Sequence, residues 1–394
     1  MWIAGIDAAG VPAWIVPSSR PQTGHVPTAC FRLRHLLRPA RQCAYDALAV
    51  TSPARIPPPA PRLLLAPMEG LLDPRLRAVL TQAAHYDWCV TEFVRVTQEV
   101  LPLRYFLRMA PELASGSRTA SGVPLRVQLL GCNPARMAAN AARLMKLSPA
   151  GVDLNFGCPA PQVNRHRGGA VLLDEPELMY AVTAAVAAAV DGRTPCSAKM
   201  RLGVRDKSRA VEAAQALEAG GAGLIVVHAR TRDERYDPPA HWPWVARVAE
   251  AVRVPVVANG EIWNVDDYLR CRAESGCSDA MLGRGAVADP FLVERIRAYL
   301  ASGAVRSAQA DWPRLLPLLA DYWRRVREDI SPRHAPGRIK QWLNLLRRNY
   351  PQAEALFRQL RELRDATDMD RALAACLQAF PPPQARSGAT SASG

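Results

Sequence analysis

The chain has 394 residues, 49% of them hydrophobic, and carries 50 Lys and Arg against 36 Asp and Glu, a net charge of +14. No apolar run approaches the roughly 20 residues of a membrane-spanning helix. The nine cysteines are scattered, with neither a CxxC pair nor a Cys/His set at zinc spacing, which argues against a helical membrane protein, a metal-stapled fold and a disulfide scaffold. The expectation is a soluble, metal-free cytoplasmic enzyme with reduced thiols, large enough for one α/β barrel and an appendage.

In chain order, residues 1–61 are rich in Ala, Pro and Arg, include "SPARIPPPAPR", and lack sustained periodicity. They are expected to form a disordered extension, and the opening "MWIAGIDAAGVPAW" lacks the basic and apolar regions of a secretory signal. Strand-like apolar runs follow at 62–68, 88–94, 125–131, 152–157, 196–202, 223–229, 254–259 and 279–284. Segments of helical period such as "PARMAANAARLMKL" separate most of them. This alternation predicts a closed parallel (β/α)8 TIM barrel over residues 62–303, with an open doubly wound sheet as the alternative. Beyond Pro290 the strands stop, and helical patterns at 311–329, 335–349, 352–365 and 368–379 predict an all-α helical-bundle domain over 304–380. Residues 381–394 read as a disordered tail.

In such a barrel, chemistry sits where the strands end. Those ends carry Pro67, Met68 and Glu69, then Glu92 to Arg95, Gln128, Asn155 to Cys158, Lys199 to Arg201, His228, Asn259 to Glu261, and Gly283 with Arg284. The last two ends, "ANGEI" and "GRGA", place glycines where backbone N–H groups approach an anion, at the strands that often bind phosphate. Lys199 must meet an anion or stay hydrated, because burying an unpaired charge is costly. His228 suits either a phosphate donor or a satisfied barrel-top histidine. Cys158, between a glycine and a proline, is a thiol that stays mostly protonated near neutral pH, suited to proton donation or to nucleophilic attack.

The motifs "APMEG", "TEFVR", "VQLLG", "VDLNFGCP", "KMRLG", "VVHART", "ANGEIW" and "MLGRGA" resemble, in order and spacing, the tRNA-dihydrouridine synthases. "RIKQWLNLLRRNY" resembles the bacterial branch that modifies position 16 of the tRNA D-loop. The resemblance implies an FMN-bearing barrel, reduced by NADPH or NADH, that adds hydride to C6 of a uracil while a cysteine protonates C5. By motif, Cys158 is that acid. Pro67, Met68, Glu69, Gln128, Lys199, His228, Asn259, Gly260, Glu261, Gly283 and Arg284 hold FMN. Asn155 and Arg201 meet the inserted uridine, and Arg95, Tyr236, Arg338, Lys340 and Arg361 meet the tRNA. The partner implied is tRNA, bound by a monomer. Two departures stand out: "NRHRGGA" places Arg165, His166 and Arg167 where the family has a glycine-rich stretch, and Ala229 replaces a glycine in "HART".

The helical segment supports a polyanion partner, since Arg324 to Arg361 holds ten basic residues against Glu328, Asp329 and Glu354, a net of +7. Arg338 and Lys340, two apart, point to opposite sides of a helix, whereas Arg338 and Trp342 share a face, with Trp342 expected in the core. A flavin barrel acting on a free pyrimidine base and a tRNA-binding protein without catalysis are the competing readings.

Overall fold

The computed structural model describes residues 60–379. The expected extension up to residue 59 and the tail at 381–394 lie outside the described residues. Nine parallel strands, β1 (Leu63–Leu65), β2 (Cys89–Val90), β3 (Val94–Arg95), β4 (Leu125–Leu130), β5 (Val152–Phe156), β6 (Cys196–Arg201), β7 (Ile225–His228), β8 (Val256–Asn259) and β9 (Ala280–Leu282), follow one another round the barrel. The sheet closes because β1 pairs with both β9 and β2, while β2 pairs in turn with β4. This is the expected TIM barrel, with one stave broken. The run at 88–94 splits into β2 and β3, both paired with β4, in registers Cys89↔Leu125 and Val94↔Leu129. Between them, the Gln128 N–H donates to the Thr91 hydroxyl at 3.0 Å, so a side chain takes over one ladder bond.

Alternation along the strands sorts side chains to two faces. Leu63, Leu65, Val127, Leu129, Ile225 and Val227 join the large cluster packed against the helices. Leu64, Ala66, Val90, Val226, Val257 and Met281 form a second cluster of their own. The helices are built by the usual devices. In Pro134–Leu144, Asn133 caps the Arg136 N–H, proline stands in the first turn, and Met137, Ala141 and Leu144 are buried on one face.

Gly303, at a φ of 71°, ends helix Leu292–Ser302. Helices Trp312–Asp329, Ala335–Leu346, Pro351–Leu360 and Ala366–Ala379 follow. They are bolted to the barrel. Trp342 is fully buried, meets Tyr322 edge-on at 5.0 Å and donates its indole N–H to the Val287 carbonyl at 3.1 Å. Asn349 donates to the Ala288 carbonyl, and the Tyr350 hydroxyl to Asp289. All three acceptors lie just past β9. No described helix is long and apolar enough to cross a membrane.

Candidate active site

At the C-terminal ends of the strands lies a cavity of about 130 Å³. Every residue assigned above to the cofactor lines it: Pro67, Met68 and Glu69 after β1, Gln128 in β4, Lys199 in β6, His228 ending β7, Asn259, Gly260 and Glu261 at β8, and Gly283 and Arg284 after β9. Asn155, Cys158, Arg201 and Tyr236 line it too. Phe93, Ile262 and Trp263 also contribute and were not singled out, although Trp263 closes the same "ANGEIW" motif.

The turn that carries Cys158 is set from beneath by a buried polar chain. Ser197 Oγ and Gln128 Nε2 both donate to the Asp153 carboxylate at 2.6 Å. Gln128 Oε1 accepts from Asn155 Nδ2 at 2.7 Å. Asn155 Oδ1 then accepts the N–H groups of Gly157 and Cys158 at 3.0 and 2.9 Å. Both ends of this chain have fixed polarity, a carboxylate that only accepts and backbone N–H groups that only donate, so the two amides between them have one consistent orientation. Asn155 is therefore spent largely on shaping the turn, with one amide hydrogen left for a ligand. Asp153, two residues before Asn155 and on the same face of β5, was not anticipated; an acid inside the apolar run "VDLNF" was its signal.

From above, the "NRHRGGA" loop closes on the Cys158 carbonyl, which accepts from Asn164 Nδ2 at 2.8 Å and from the Ala170 N–H at 3.0 Å. Gly169 has a φ of +68°, and a Cβ there would lie 2.7 Å from the Cys158 oxygen, so no side chain fits. Arg165, His166 and Arg167 are exposed on the outside of this loop, and Arg167 pairs with Glu175. The bulky departure thus leaves the contact with the Cys158 turn to Asn164, Gly169 and Ala170. Cys158 itself is 9% exposed. Burial, reinforced by the charge of Glu69, pushes its thiol above the usual range despite the Ala160 N–H, Arg201 and Lys199, so it keeps its proton at neutral pH.

The cations of the cavity are short of partners. Lys199 donates to Asn259 Oδ1 at 2.9 Å, and Asn259 is held in turn by donating to the Met281 carbonyl. Burial and the neighbouring Arg201 lower the Lys199 ammonium to about 7. His228 is buried, and burial together with Arg201 and Lys199 holds it well below its usual value and hence neutral. Its Nδ1 has no partner among the described residues. Gly260, at a φ of +114°, lets the backbone pass beside the imidazole, where a Cβ would sit 3.4 Å from Nε2. Arg284 lies over Tyr236 and Trp263, 4.7 and 5.0 Å from the ring centres. Glu261, by contrast, is committed: burial raises its carboxyl, but bonds from Arg230 and from the Trp263 indole outweigh this and hold it low. Arg201 is locked by donating to the carbonyls of Gly157, Thr231 and Arg235, and it lies 5.2 Å from the Tyr236 ring centre. A neutral thiol beside under-partnered cations suits a reaction that binds an anionic cofactor and delivers one proton.

The remaining candidates, Arg95, Arg338, Lys340 and Arg361, lie outside the cavity. Arg338 pairs with Asp73 at 2.8 Å and donates to the carbonyls of Gly70 and Leu71, joining its helix to the loop after β1. Lys340 donates to the carbonyls of Arg361 and Leu363, closing the end of helix Pro351–Leu360. Both are taken up by internal acceptors, which sequence spacing does not reveal. Arg361 is exposed and pairs with Glu362, and Arg95 reaches only the Gln162 carbonyl at 3.4 Å.

A family model described as dihydrouridine synthase matches residues 64–381. A tRNA-dihydrouridine(16) synthase of Ralstonia nicotianae is 55% identical over 78% of this chain and 94% of its own length. Proteins of the same name from Aquipseudomonas alcaligenes and Neisseria meningitidis serogroup B are 52% and 41% identical, each over 79% of this chain and over 99% and 94% of their own. Among solved structures, histamine dehydrogenase from Rhizobium sp. 4-9 overlaps 60% of this chain and 45% of its own at 14% identity and a TM-score of 0.45. The family match spans both the barrel and the C-terminal helices, and the chain belongs to the dihydrouridine synthase family.

Proposed function

We propose that this protein reduces the C5=C6 bond of the uridine at position 16 in the tRNA D-loop to 5,6-dihydrouridine, using FMN reduced by NADPH or NADH. We read it as a cytoplasmic, monomeric enzyme whose residues 304–380 hold the tRNA over the barrel. The observation that carries the reading is a buried, neutral Cys158 thiol on the wall of a cavity whose cations lack anionic partners. The names of the 41–55% identical relatives support the substrate and the position.

The cavity fits a flavin nucleotide. The orphaned His228 Nδ1 and the unpaired Arg284 call for an anion, and the glycine turns leave the backbone accessible. Gly285 keeps the last turn tight, since a Cβ there would lie 2.0 Å from the Ile262 carbonyl. Gly260, Gly283, Arg284 and His228 would face the phosphate. Gln128, Lys199, Asn259 and the segment Pro67, Met68 and Glu69 would face the ring, with Glu261 steadying the turn through Arg230. When bound, the reduced flavin supplies a hydride to uracil C6.

The chain's own work is to present the base and deliver the proton. Uracil must leave its stack, at a cost of roughly a few kcal/mol, and Tyr236 and Arg201 offer a ring and a guanidinium at the cavity mouth. Hydride arrival at C6 develops negative charge on the C5–C4–O4 enolate, and the Cys158 Sγ–H gives its proton to C5. The resulting thiolate lies near Arg201 and Lys199, whose charges favour it, and it regains a proton from solvent. The raised thiol keeps the donor loaded until the enolate forms.

The test is conversion of unmodified tRNA by the purified, flavin-loaded protein with NADPH, read by mass spectrometry of nuclease fragments. The expected result is a gain of two hydrogens in the fragment holding position 16. Reduction of free uracil or uridine with tRNA untouched would instead establish the small-molecule reading.

A further inference from the structure

Arg348 follows helix Ala335–Leu346 and lies against Trp263, a residue of the cavity wall. It is exposed, and its side chain makes no ion pair or hydrogen bond among the described residues. Its guanidinium carbon lies 4.1 Å from the centre of the Trp263 ring. Trp263 lines the cavity and carries Arg284 at 5.0 Å. Arg284 and Arg201 lie in turn 4.7 and 5.2 Å from the Tyr236 ring. An unbroken alternation of guanidinium and aromatic ring, Arg201, Tyr236, Arg284, Trp263, Arg348, therefore runs from beside the catalytic turn to the C-terminal helices.

This alternation has a physical use. Stacking on an indole holds a guanidinium flat and ordered without occupying its N–H donors, which stay in the fork that matches a phosphate. The backbone at this point is also fixed, because Asn349 and Tyr350, the next two residues, are hydrogen-bonded to Ala288 and Asp289 on the barrel. Two guanidinium groups sharing one indole repel each other, and an anion between or beside them relieves that repulsion. Tyr236 is 49% exposed, a large ring that meets His228 edge-on at 6.2 Å and still shows much of its surface at the rim. Aromatic rings interleaved with arginines are how proteins grip single-stranded nucleic acid.

We infer that Arg348, held on Trp263, contacts a backbone phosphate of the RNA strand next to the reacting uridine. This rests on tRNA being the substrate. The alternative anion is the phosphate of the flavin nucleotide. RNA is favoured because Arg348 is exposed while Arg284, on the same indole, is partly buried in the cavity wall.

The test uses flavin-loaded wild-type protein, Arg348→Glu and Arg348→Lys, checked for equal melting temperatures. Affinity for unmodified tRNA is measured across a salt series, and the visible flavin absorbance is measured after gel filtration. Arg348→Glu should weaken tRNA binding about ten-fold, lower the slope of log affinity against log salt by about one, and leave the flavin in place. KM for tRNA should rise by a larger factor than kcat falls. Arg348→Lys should keep the slope and lose part of the affinity, because it retains the charge without the flat stack. Loss of flavin with tRNA affinity intact would overturn the inference and assign the residue to the cofactor. Unchanged affinity, slope and flavin would overturn it outright. Wild-type protein that neither binds nor modifies tRNA would remove the functional reading and this inference together.

Discussion

The barrel mouth and the C-terminal helices are both rich in positive charge, but they treat it in opposite ways. At the mouth, among the described residues, Lys199 has only an amide for a partner, the His228 Nδ1 has none, and Arg284 is left to two aromatic rings. In the helices, Arg324 and Arg325 pair with Asp321, Arg327 with Asp370, Arg338 with Asp73, Arg347 and Arg358 with Glu354, and Arg361 with Glu362. Cations kept without partners in a cavity await a ligand, whereas cations matched within the chain serve the fold. The difference also qualifies a charge count. Asp73, Asp321, Glu362 and Asp370 all lie outside the window 324–361, so four of the seven excess charges there meet acids from elsewhere. The exposed pairs are each worth only about 0–1 kcal/mol and yield readily to a phosphate, but the half-buried Arg338 bridge does not.

The sharpest way to break this contrast is at the mouth. Cys158→Ala removes the proton donor without removing a structural partner, since the turn is held by Asn155 and by the Cys158 backbone. Loss of a general acid should lower kcat for dihydrouridine formation about 10²–10⁴-fold, with melting temperature and flavin absorbance kept. Turnover within a few-fold of wild type, on fully unmodified tRNA, would remove Cys158 from the chemistry.

The appendage should answer in the opposite sense. Arg338→Ala strips a charged bond from Asp73 and a donor from the Leu71 carbonyl, while the Gly70 carbonyl keeps Gln341 Nε2 at 3.0 Å. The expected loss is about 1–3 kcal/mol in urea unfolding, while the salt dependence of tRNA binding stays as in wild type. A lower salt slope with undiminished stability would return Arg338 to the RNA surface and weaken the contrast drawn here.

Which parts were legible follows from how far each signal travels along the chain. The barrel was readable because each strand is a local apolar run, and its end residues reach the cavity by the geometry of the fold, as Gln128, Lys199 and Asn259 do. The broken stave was not, because it depends on Thr91 meeting Gln128, 37 residues away. Asp153 escaped because an acid in an apolar run reads as an exception until Ser197 and Gln128 are seen around it. The internal partners of Arg338 and Lys340 were hidden for the same reason: their acceptors belong to a distant loop and to the end of another helix. Trp342, expected in the core from the sequence, is fully buried.

The smallest expected effect tests the cost of leaving a cation without a partner. The folded-state value of Lys199 is lowered to about 7, chiefly by burial and then by Arg201, while an unfolded lysine titrates near 10.4. Between these values the unfolded chain holds a proton that the flavin-free folded protein has released, so stability rises with pH across that window. Below pH 7 both states are protonated and the penalty is complete and constant; above about 10.4 it vanishes. Lys199→Met deletes this contribution, although it leaves Asn259 Oδ1 without its donor and can lower stability at every pH. The diagnostic is therefore the slope. Flavin-free wild-type protein should gain more stability than Lys199→Met between pH 7 and 9, measured as urea midpoints in parallel so that other titrating groups cancel. Loading the flavin nucleotide and reducing it should shrink the difference, because the anionic reduced ring beside the ammonium restores its proton. Equal slopes without flavin would mean that Lys199 is already well solvated or paired, and the mouth would lose its clearest example of a charge kept waiting.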